Sequence, residues 1–133
     1  MKMLVAEDDN TSRKLLHKLL SPYGTCDVAS NGREALDAFT RALNDAAPYD
    51  LVCLDIMMPV LSGMEALVAM REEESRTKKY PSCKIIMTTA LDSPKDIIEA
   101  YYNGGCTDYL VKPIDTRKLI SLIRGYGLIP DEQ

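Results

Sequence analysis

Leu51-Val52-Cys53-Leu54-Asp55-Ile56-Met57-Met58-Pro59 is an apolar run that carries one carboxylate and breaks at a proline. A continuous run of this kind reads as a central parallel strand covered on both faces, not as a half-exposed strand that alternates. Asp55 then sits where the strand leaves the core. In open parallel sheets, ligands collect at the carboxyl ends of strands, where the order of connections reverses. Asp55 is therefore the first candidate for a functional residue.

Working outward, Pro48-Tyr49-Asp50 leads into this strand, and Ser62-Gly63 opens a helix after it, with Met64, Leu67 and Val68 expected inward. The charge run Glu72 to Lys79 reads as a solvated helix end and loop. Upstream, Lys2 to Ala6 is a short strand followed by Glu7-Asp8-Asp9-Asn10. Leu15, Leu16, Leu19 and Leu20 then recur at helical spacing, with Asn10 or Thr11 as the cap and Pro22 and Gly24 as the stop. Thr25 to Ala29 is a second strand, and Asn31-Gly32 starts a helix whose inward stripe is Ala35, Leu36, Phe39 and Leu43.

Downstream, Lys84 to Thr89 is a fourth strand, and Ser93-Pro94 starts a fourth helix, with proline at its first position. Ile97, Ile98 and Tyr101 are expected inward there, with Tyr102 off the stripe and partly exposed. Gly104-Gly105 stops that helix. Thr107 to Val111 is a fifth strand ending at Lys112-Pro113. The last helix turns Leu119, Ile120 and Ile123 inward and Arg117, Lys118 and Arg124 outward, before a polar end at Pro130 to Gln133. Five strands alternating with five helices predict an α/β fold: a parallel sheet, doubly wound, with right-handed crossovers. One unit over residues 1–126 and a short tail over 127–133 is the expected division.

Composition agrees with a single core. The 133 residues suffice to bury roughly two thirds of the unfolded surface. Hydrophobic residues make up 46% and charged residues 27%, as in ordinary globular chains. The formal net charge of −4 disfavours nucleic-acid binding by overall electrostatics. Cys26, Cys53, Cys83 and Cys106 form no C-x-x-C pair, and the one histidine, His17, offers little toward a zinc site; it reads as a surface residue beside Lys14 and Lys18. Small thiols in a reducing compartment are the expectation. The opening Met1-Lys2-Met3-Leu4 reaches Glu7 too soon for a signal peptide, and no apolar stretch nears the roughly 20 residues of a membrane span. A cytoplasmic location is expected.

On the predicted sheet, Glu7, Asp8, Asp55, Thr89 and Lys112 all come to one edge. Three converging carboxylates raise one another's pKa unless a cation lies among them. A hard divalent cation with oxygen ligands resolves this; Mg2+ takes one or two carboxylates, keeps waters, and fills its remaining positions with phosphate oxygens. Lysine and threonine on the far side suit the other oxygens of a phosphoryl group, so the edge reads as a phosphoryl-transfer site with Asp55 as nucleophile. No side chain there looks like a strong general base.

Glu7-Asp8, Asp55 with Met58-Pro59 and Gly63, Thr89-Ala90, and Tyr109-x-x-Lys112-Pro113 together resemble the signature of a response regulator receiver domain, in order and spacing, over essentially the whole chain. The resemblance implies the flavodoxin-like receiver fold with strand order 2-1-3-4-5. It implies that Asp55 is the phosphoacceptor and that Mg2+, with Mn2+ as a substitute, is held by Glu7, Asp8, Asp55 and the Met57 backbone carbonyl. Thr89 and Lys112 would meet the phosphoryl group, Thr89 and Tyr109 would act as the switch, and the peptide before Pro113 would be cis. Partners would be a histidine kinase or phosphotransfer protein as donor and a downstream protein on the face of the fourth helix, fifth strand and fifth helix. Neither nucleic acid nor membrane is expected as a partner, and phosphorylation-dependent dimerisation stays open. Such a chain is a switch, not an enzyme, and acts as a stand-alone receiver or relay intermediate.

Two features depart from the common pattern. The acidic pair is Glu7-Asp8 where many members have two aspartates, and the positions that tune dephosphorylation hold apolar Met57 and Leu91. Neither can orient an attacking water, which predicts slow loss of the phosphoryl group. Of the rival readings, a haloacid-dehalogenase-type phosphatase needs an aspartate where Glu7 stands. A flavodoxin-like flavin binder needs a phosphate loop where Glu7-Asp8-Asp9 would repel phosphate. A degenerate receiver would lack a key side chain, and each is present.

Overall fold

The computed structural model describes residues 1–131. Within them, five parallel strands form one sheet: β1 Lys2–Ala6, β2 Thr25–Ala29, β3 Leu51–Leu54, β4 Lys84–Thr89 and β5 Asp108–Val111. They are all parallel, as the alternation predicts, and their order is β2-β1-β3-β4-β5, as the resemblance implies. Every residue of β3 is buried, which is why its sequence is apolar without alternation. Ala6 stands between Ala29 and Leu54, and Leu54 beside Met87, so the strands deliver their last residues to a common edge.

The helices are α1 Asn10–Leu20, α2 Gly32–Asn44, α3 Gly63–Thr77, α4 Pro94–Glu99 and α5 Thr116–Gly125. Each starts on a side-chain cap, from Asp9, Asn31, Ser62, Ser93 and Asp115 in turn. These oxygens accept from amides that a helix start would otherwise leave unpaired. The cap of α1 is Asp9, one residue before the expected Asn10 or Thr11. Its carboxylate accepts from both the amide and the hydroxyl of Ser12, at 3.0 and 2.6 Å, which a neutral amide or hydroxyl would do less strongly.

Alternate residues of each strand face opposite sides. Leu4, Val52, Leu54, Ile85 and Met87 pack with Phe39 of α2 and with Leu67 and Met70 of α3. Met3, Val5, Leu51, Cys53 and Ile86 pack with Leu16 and Leu20 of α1 and with Leu119 and Ile123 of α5. Burying a side chain of this size is worth about 1.5–3 kcal/mol each. Ile129, beyond the expected boundary at 126, is buried in the second of these cores. Of the expected polar end, Glu132 and Gln133 lie outside the described residues.

Three inward assignments are corrected. Val68 of α3 is exposed, because the buried face there runs through Gly63, Ala66, Leu67 and Met70. Ile98 and Tyr101 are exposed as well, and Ile97 is only half-buried. α4 keeps α-geometry for six residues and then widens into a π-turn over Ala100–Gly104, which changes the phase of the stripe. The residues it presses inward are Ala100 and Gly104; a Cβ on Gly104 would lie 2.4 Å from Leu67 Cδ2. Tyr102 is 84% exposed, as expected. β5 starts at Asp108, not Thr107, although the Thr107 amide already donates to the Ile85 carbonyl at 2.7 Å.

At the edge opposite the strand carboxyl ends, Arg71 of α3 joins several segments. Its guanidinium donates to the carbonyls of Gly105 and Cys83, both at 2.9 Å, and to Glu74 at 2.7 Å. Glu74 accepts from the Cys83 amide at 2.6 Å, which closes a partly buried network around the start of β4.

Candidate functional site

Glu7 and Asp8 follow β1, Asp55 follows β3, Thr89 ends β4 and Lys112 follows β5. One carboxylate oxygen each from Glu7, Asp8 and Asp55 can be chosen so that all three lie within 4.8 Å of one another. Glu7 and Asp55 are buried, and Asp8 faces solvent. Lys112 Nζ donates to Glu7 Oε1 at 2.6 Å and to Asp55 Oδ2 at 3.0 Å, so a single ammonium bridges two carboxylates that come from different strands. The other Asp55 oxygen accepts from the Met57 amide at 3.1 Å. The peptide joining Lys112 to Pro113 is cis.

The backbone around Asp55 is held tightly. Its amide donates to the Ala6 carbonyl at 3.0 Å, and the Gly63 amide donates to the Ile56 carbonyl at 2.9 Å. A Cβ on Gly63 would lie 1.9 Å from the Asp55 carbonyl oxygen, and one on Gly32 would lie 2.0 Å from the Leu61 carbonyl oxygen. The loop after Asp55 is thus seated on two positions where only glycine fits.

Burial pushes the Glu7 carboxyl well above the ordinary carboxylate range; the Lys112 hydrogen bond opposes this and the Asp55 charge adds to it. For Lys112, burial works against the charged form, but the hydrogen bonds and charges of Glu7 and Asp55 outweigh it and the ammonium titrates above its usual value. Glu7 Oε2 is buried and has no hydrogen-bond partner among the described residues. A buried oxygen without a partner is costly. The donors are carboxylates, hard oxygen ligands of mixed exposure, and the unpartnered oxygen belongs to the same cluster; Glu7, Asp8 and Asp55 therefore fit a Mg2+-type cation.

Thr89 is fully buried, and its hydroxyl accepts from the Leu91 amide at 3.4 Å. Tyr109 donates its hydroxyl hydrogen to the Leu91 carbonyl at 2.7 Å. The two expected switch residues are therefore linked through the main chain of one residue in the loop between β4 and α4. Thr88 belongs to the strand interior, as expected. His17 lies on the exposed side of α1, away from this edge.

Sequence reasoning did not find Arg13. Its guanidinium donates to the Glu7 carbonyl at 2.9 Å, the Asp8 carbonyl at 3.4 Å and Asn10 Oδ1 at 2.8 Å, holding the loop that carries both acidic residues. The signal was an arginine in the second turn of a helix that starts directly after the acidic pair, where its long side chain reaches back over its own helix start.

Residues 3–124 match the sequence model described as the response regulator receiver domain. Among curated relatives, hybrid signal transduction histidine kinase I of Dictyostelium discoideum is 35% identical over 92% of this chain, and this chain spans 7% of that protein. The probable transcriptional regulator ycf29 of Porphyra purpurea is 35% identical over 92% of this chain, which spans 54% of it. Among solved structures, the Vibrio cholerae chemotaxis protein CheY4 superposes with a TM-score of 0.76 at 30% identity, covering 93% of this chain and 96% of that one. The receiver domain of the Francisella response regulator 1452 superposes at 0.73 with 34% identity, covering 96% and 94%. With the sheet order, the acidic cluster and the strand-end lysine all in place, the chain belongs to the response regulator receiver domain family of two-component signalling.

Proposed function

We propose that this chain is a phosphorylation-controlled switch in which Asp55 accepts a phosphoryl group from a phosphohistidine of a histidine kinase or phosphotransfer protein, or from a small acyl phosphate. The observation that carries this reading is the Lys112 ammonium bridging Asp55 and Glu7 within a cluster of three carboxylates. An Asp55 oxygen attacks phosphorus, an O–P bond forms, and the P–N bond to the donor imidazole breaks with its electron pair leaving on nitrogen, which is then protonated from solvent. Glu7, Asp8, Asp55 and the Met57 carbonyl would hold Mg2+, which when bound supplies charge neutralisation to the phosphoryl oxygens. Lys112 exchanges part of its pairing with Asp55 for a phosphoryl oxygen. Thr89 turns its hydroxyl from the Leu91 amide to another.

Release of the Leu91 amide moves the carbonyl that anchors Tyr109. Exposed Ile98, Tyr101, Tyr102 and Val111 lie on α4, its π-turn and β5, a face suited to a downstream protein whose affinity follows this change. The functional unit runs past 126 to the buried Ile129, and four free thiols accord with a reducing, cytoplasmic setting. Among the described residues, no helix is long and apolar enough to cross a membrane.

Intact mass after incubation with acetyl phosphate tests the reaction. One added phosphoryl group that requires both Mg2+ and Asp55, and is missing in Asp55→Asn, is the expected result. No adduct under any condition, or an undiminished adduct in Asp55→Asn, would overturn the reading.

A further inference from the structure

Among the described residues, Glu7 Oε2 and Thr88 Oγ1 are buried side-chain oxygens without a hydrogen-bond partner. A cation held by the acidic cluster answers the first. It does not answer the second, because Thr88 is fully buried on β4, on the far side of Asp55 from Glu7. An unpaired buried hydroxyl is costly, and a valine would fill the same space without that cost.

The strand register places two neighbours beside this hydroxyl. Leu54 of β3 stands beside Met87 of β4, so the next pair is Asp55 beside Thr88, and on its other side Thr88 stands beside Leu110 of β5. Side chains two residues apart on a strand share a face. Cys53, Ile86 and Leu110 all belong to the core against α1 and α5, so Asp55, Thr88 and Lys112 turn to that face as well. Lys112 follows β5, yet its ammonium reaches Asp55 after β3 at 3.0 Å and Glu7 after β1 at 2.6 Å. β5 and β1 are three strand spacings apart, about 14 Å, and β4 lies between them. The Lys112 stem therefore crosses β4 on the face that carries the Thr88 hydroxyl. Water is a poor partner for that hydroxyl, since a buried water needs two to four polar groups. The row offers Leu110 on one side and, on the other, an Asp55 whose two oxygens already accept from Met57 and Lys112.

We propose that Thr88 is a positioning residue for Lys112: its hydroxyl is left free in the resting chain and accepts from the ammonium once Asp55 carries a phosphoryl group. This rests on the phosphoacceptor reading above. At rest, two of the three ammonium hydrogens go to Glu7 and Asp55. Phosphorylation makes one Asp55 oxygen an ester oxygen and carries negative charge outward to the phosphoryl oxygens, so the ammonium leaves Asp55. The hydroxyl on the neighbouring strand then takes a hydrogen that Asp55 gave up, in a charge-assisted bond. The unpaired oxygen thus burdens the resting state alone and biases the chain toward the phosphorylated one. Thr89, one residue on, faces the other side of the sheet, where its hydroxyl meets the Leu91 amide. The two threonines therefore serve the site from opposite faces.

Beryllofluoride with Mg2+ stands in for the phosphoryl group and is titrated into the full chain and into Thr88→Val, Thr88→Ser and Thr88→Ala. Fluorine NMR reads occupancy, and nitrogen-edited spectra read hydrogen exchange at the Lys112 ammonium. Loss of a charge-assisted bond is expected to weaken loading about tenfold in Thr88→Val and Thr88→Ala, while Thr88→Ser, as short as alanine but hydroxylated, stays within about twofold of wild type. Exchange at Lys112 should slow on loading in wild type and Thr88→Ser and stay fast in Thr88→Val. The thermal midpoint of metal-free Thr88→Val should hold or rise, because a buried unpaired oxygen is gone. Equal loading of Thr88→Val and wild type, or a metal-free midpoint of Thr88→Val well below wild type, which marks a hydroxyl already paired at rest, would overturn this inference alone. Wild type that takes neither beryllofluoride nor a phosphoryl group from acetyl phosphate would overturn the phosphoacceptor reading and this inference with it.

Discussion

Tyr109 gives its hydroxyl hydrogen to the carbonyl of Leu91, 2.7 Å away and 18 residues earlier in the chain. The same residue's amide is held by Thr89. A tyrosine on β5 and a threonine on β4 are in this way mechanically joined, although no side-chain contact between them is needed.

Replacing Tyr109 by Phe keeps the ring and removes this link. The expected loss is about 0.5–1.5 kcal/mol, the usual net value of one hydrogen bond, read by urea denaturation. Acetyl phosphate labelling of Asp55 should persist, while the phosphorylation-dependent shift of the Leu91 amide in NMR spectra should shrink.

Arg13 holds the carbonyls of Glu7 and Asp8 without belonging to the cluster itself. Arg13→Ala is expected to weaken Mg2+ binding by about tenfold, the lower end of what residues that orient metal ligands contribute. Calorimetric titration measures this, and Arg13→Lys should restore only part of it because a single ammonium cannot span three acceptors.

Burial raises the Glu7 carboxyl to about 7 in the metal-free chain. Its folded value is above its unfolded one, so the native state binds the extra proton between the ordinary carboxylate range and neutrality, and stability falls as the pH rises through that interval. A Mg2+ ion held by the cluster would compete with this proton. Its affinity should therefore weaken as the pH drops below about 7, and Glu7→Gln should flatten the dependence; a pH-independent dissociation constant in the wild type would contradict the assignment.

At Gly63 any side chain strikes the Asp55 carbonyl. Gly63→Ala should cost about 1–3 kcal/mol, as over-packing does, and should slow labelling of Asp55 because the backbone must shift at the proposed phosphoacceptor. Thermal melts and labelling time courses separate the two effects.

Met57 is exposed at the mouth of the site, and Leu91 is half-buried beside it. Neither offers a polar atom to a water on its side chain. Phosphorylated wild type should persist well beyond seconds, and Met57→Asn should shorten its lifetime severalfold; decay of the mass adduct after removal of donor gives both values.

The parallel sheet and three of the five helix caps could be read from residues, because an all-apolar β3 and an Asn31-Gly32, Ser62-Gly63 or Ser93-Pro94 pair each have one physical meaning; the strand order came only from the family resemblance, and the caps Asp9 and Asp115 were not read. The acidic cluster followed from the same reasoning, since parallel strands must deliver Glu7, Asp55 and Lys112 to one edge. What failed was phase. Tyr101 was assigned by a 3.6-residue repeat that holds for six residues and then yields to a π-turn, and a periodicity argument has no term for that; Ile98, still within the α-turns, lies one residue off the side that carries the half-buried Ile97. Arg13 was missed for another reason: two of its three acceptors are main-chain carbonyls, which leave no trace in side-chain patterns.

The Arg71 network sits at the far edge of the sheet from the carboxylates. It ties α3, the start of β4 and the loop at Gly105 by bonds that no cation or phosphoryl group competes for. That edge is the natural frame of reference within the molecule. A fluorophore attached near Lys79 or Tyr80 should stay silent through loading and discharge of Asp55, and one attached near Leu91 should respond, so the pair would make a ratiometric sensor from a chain that contains no tryptophan.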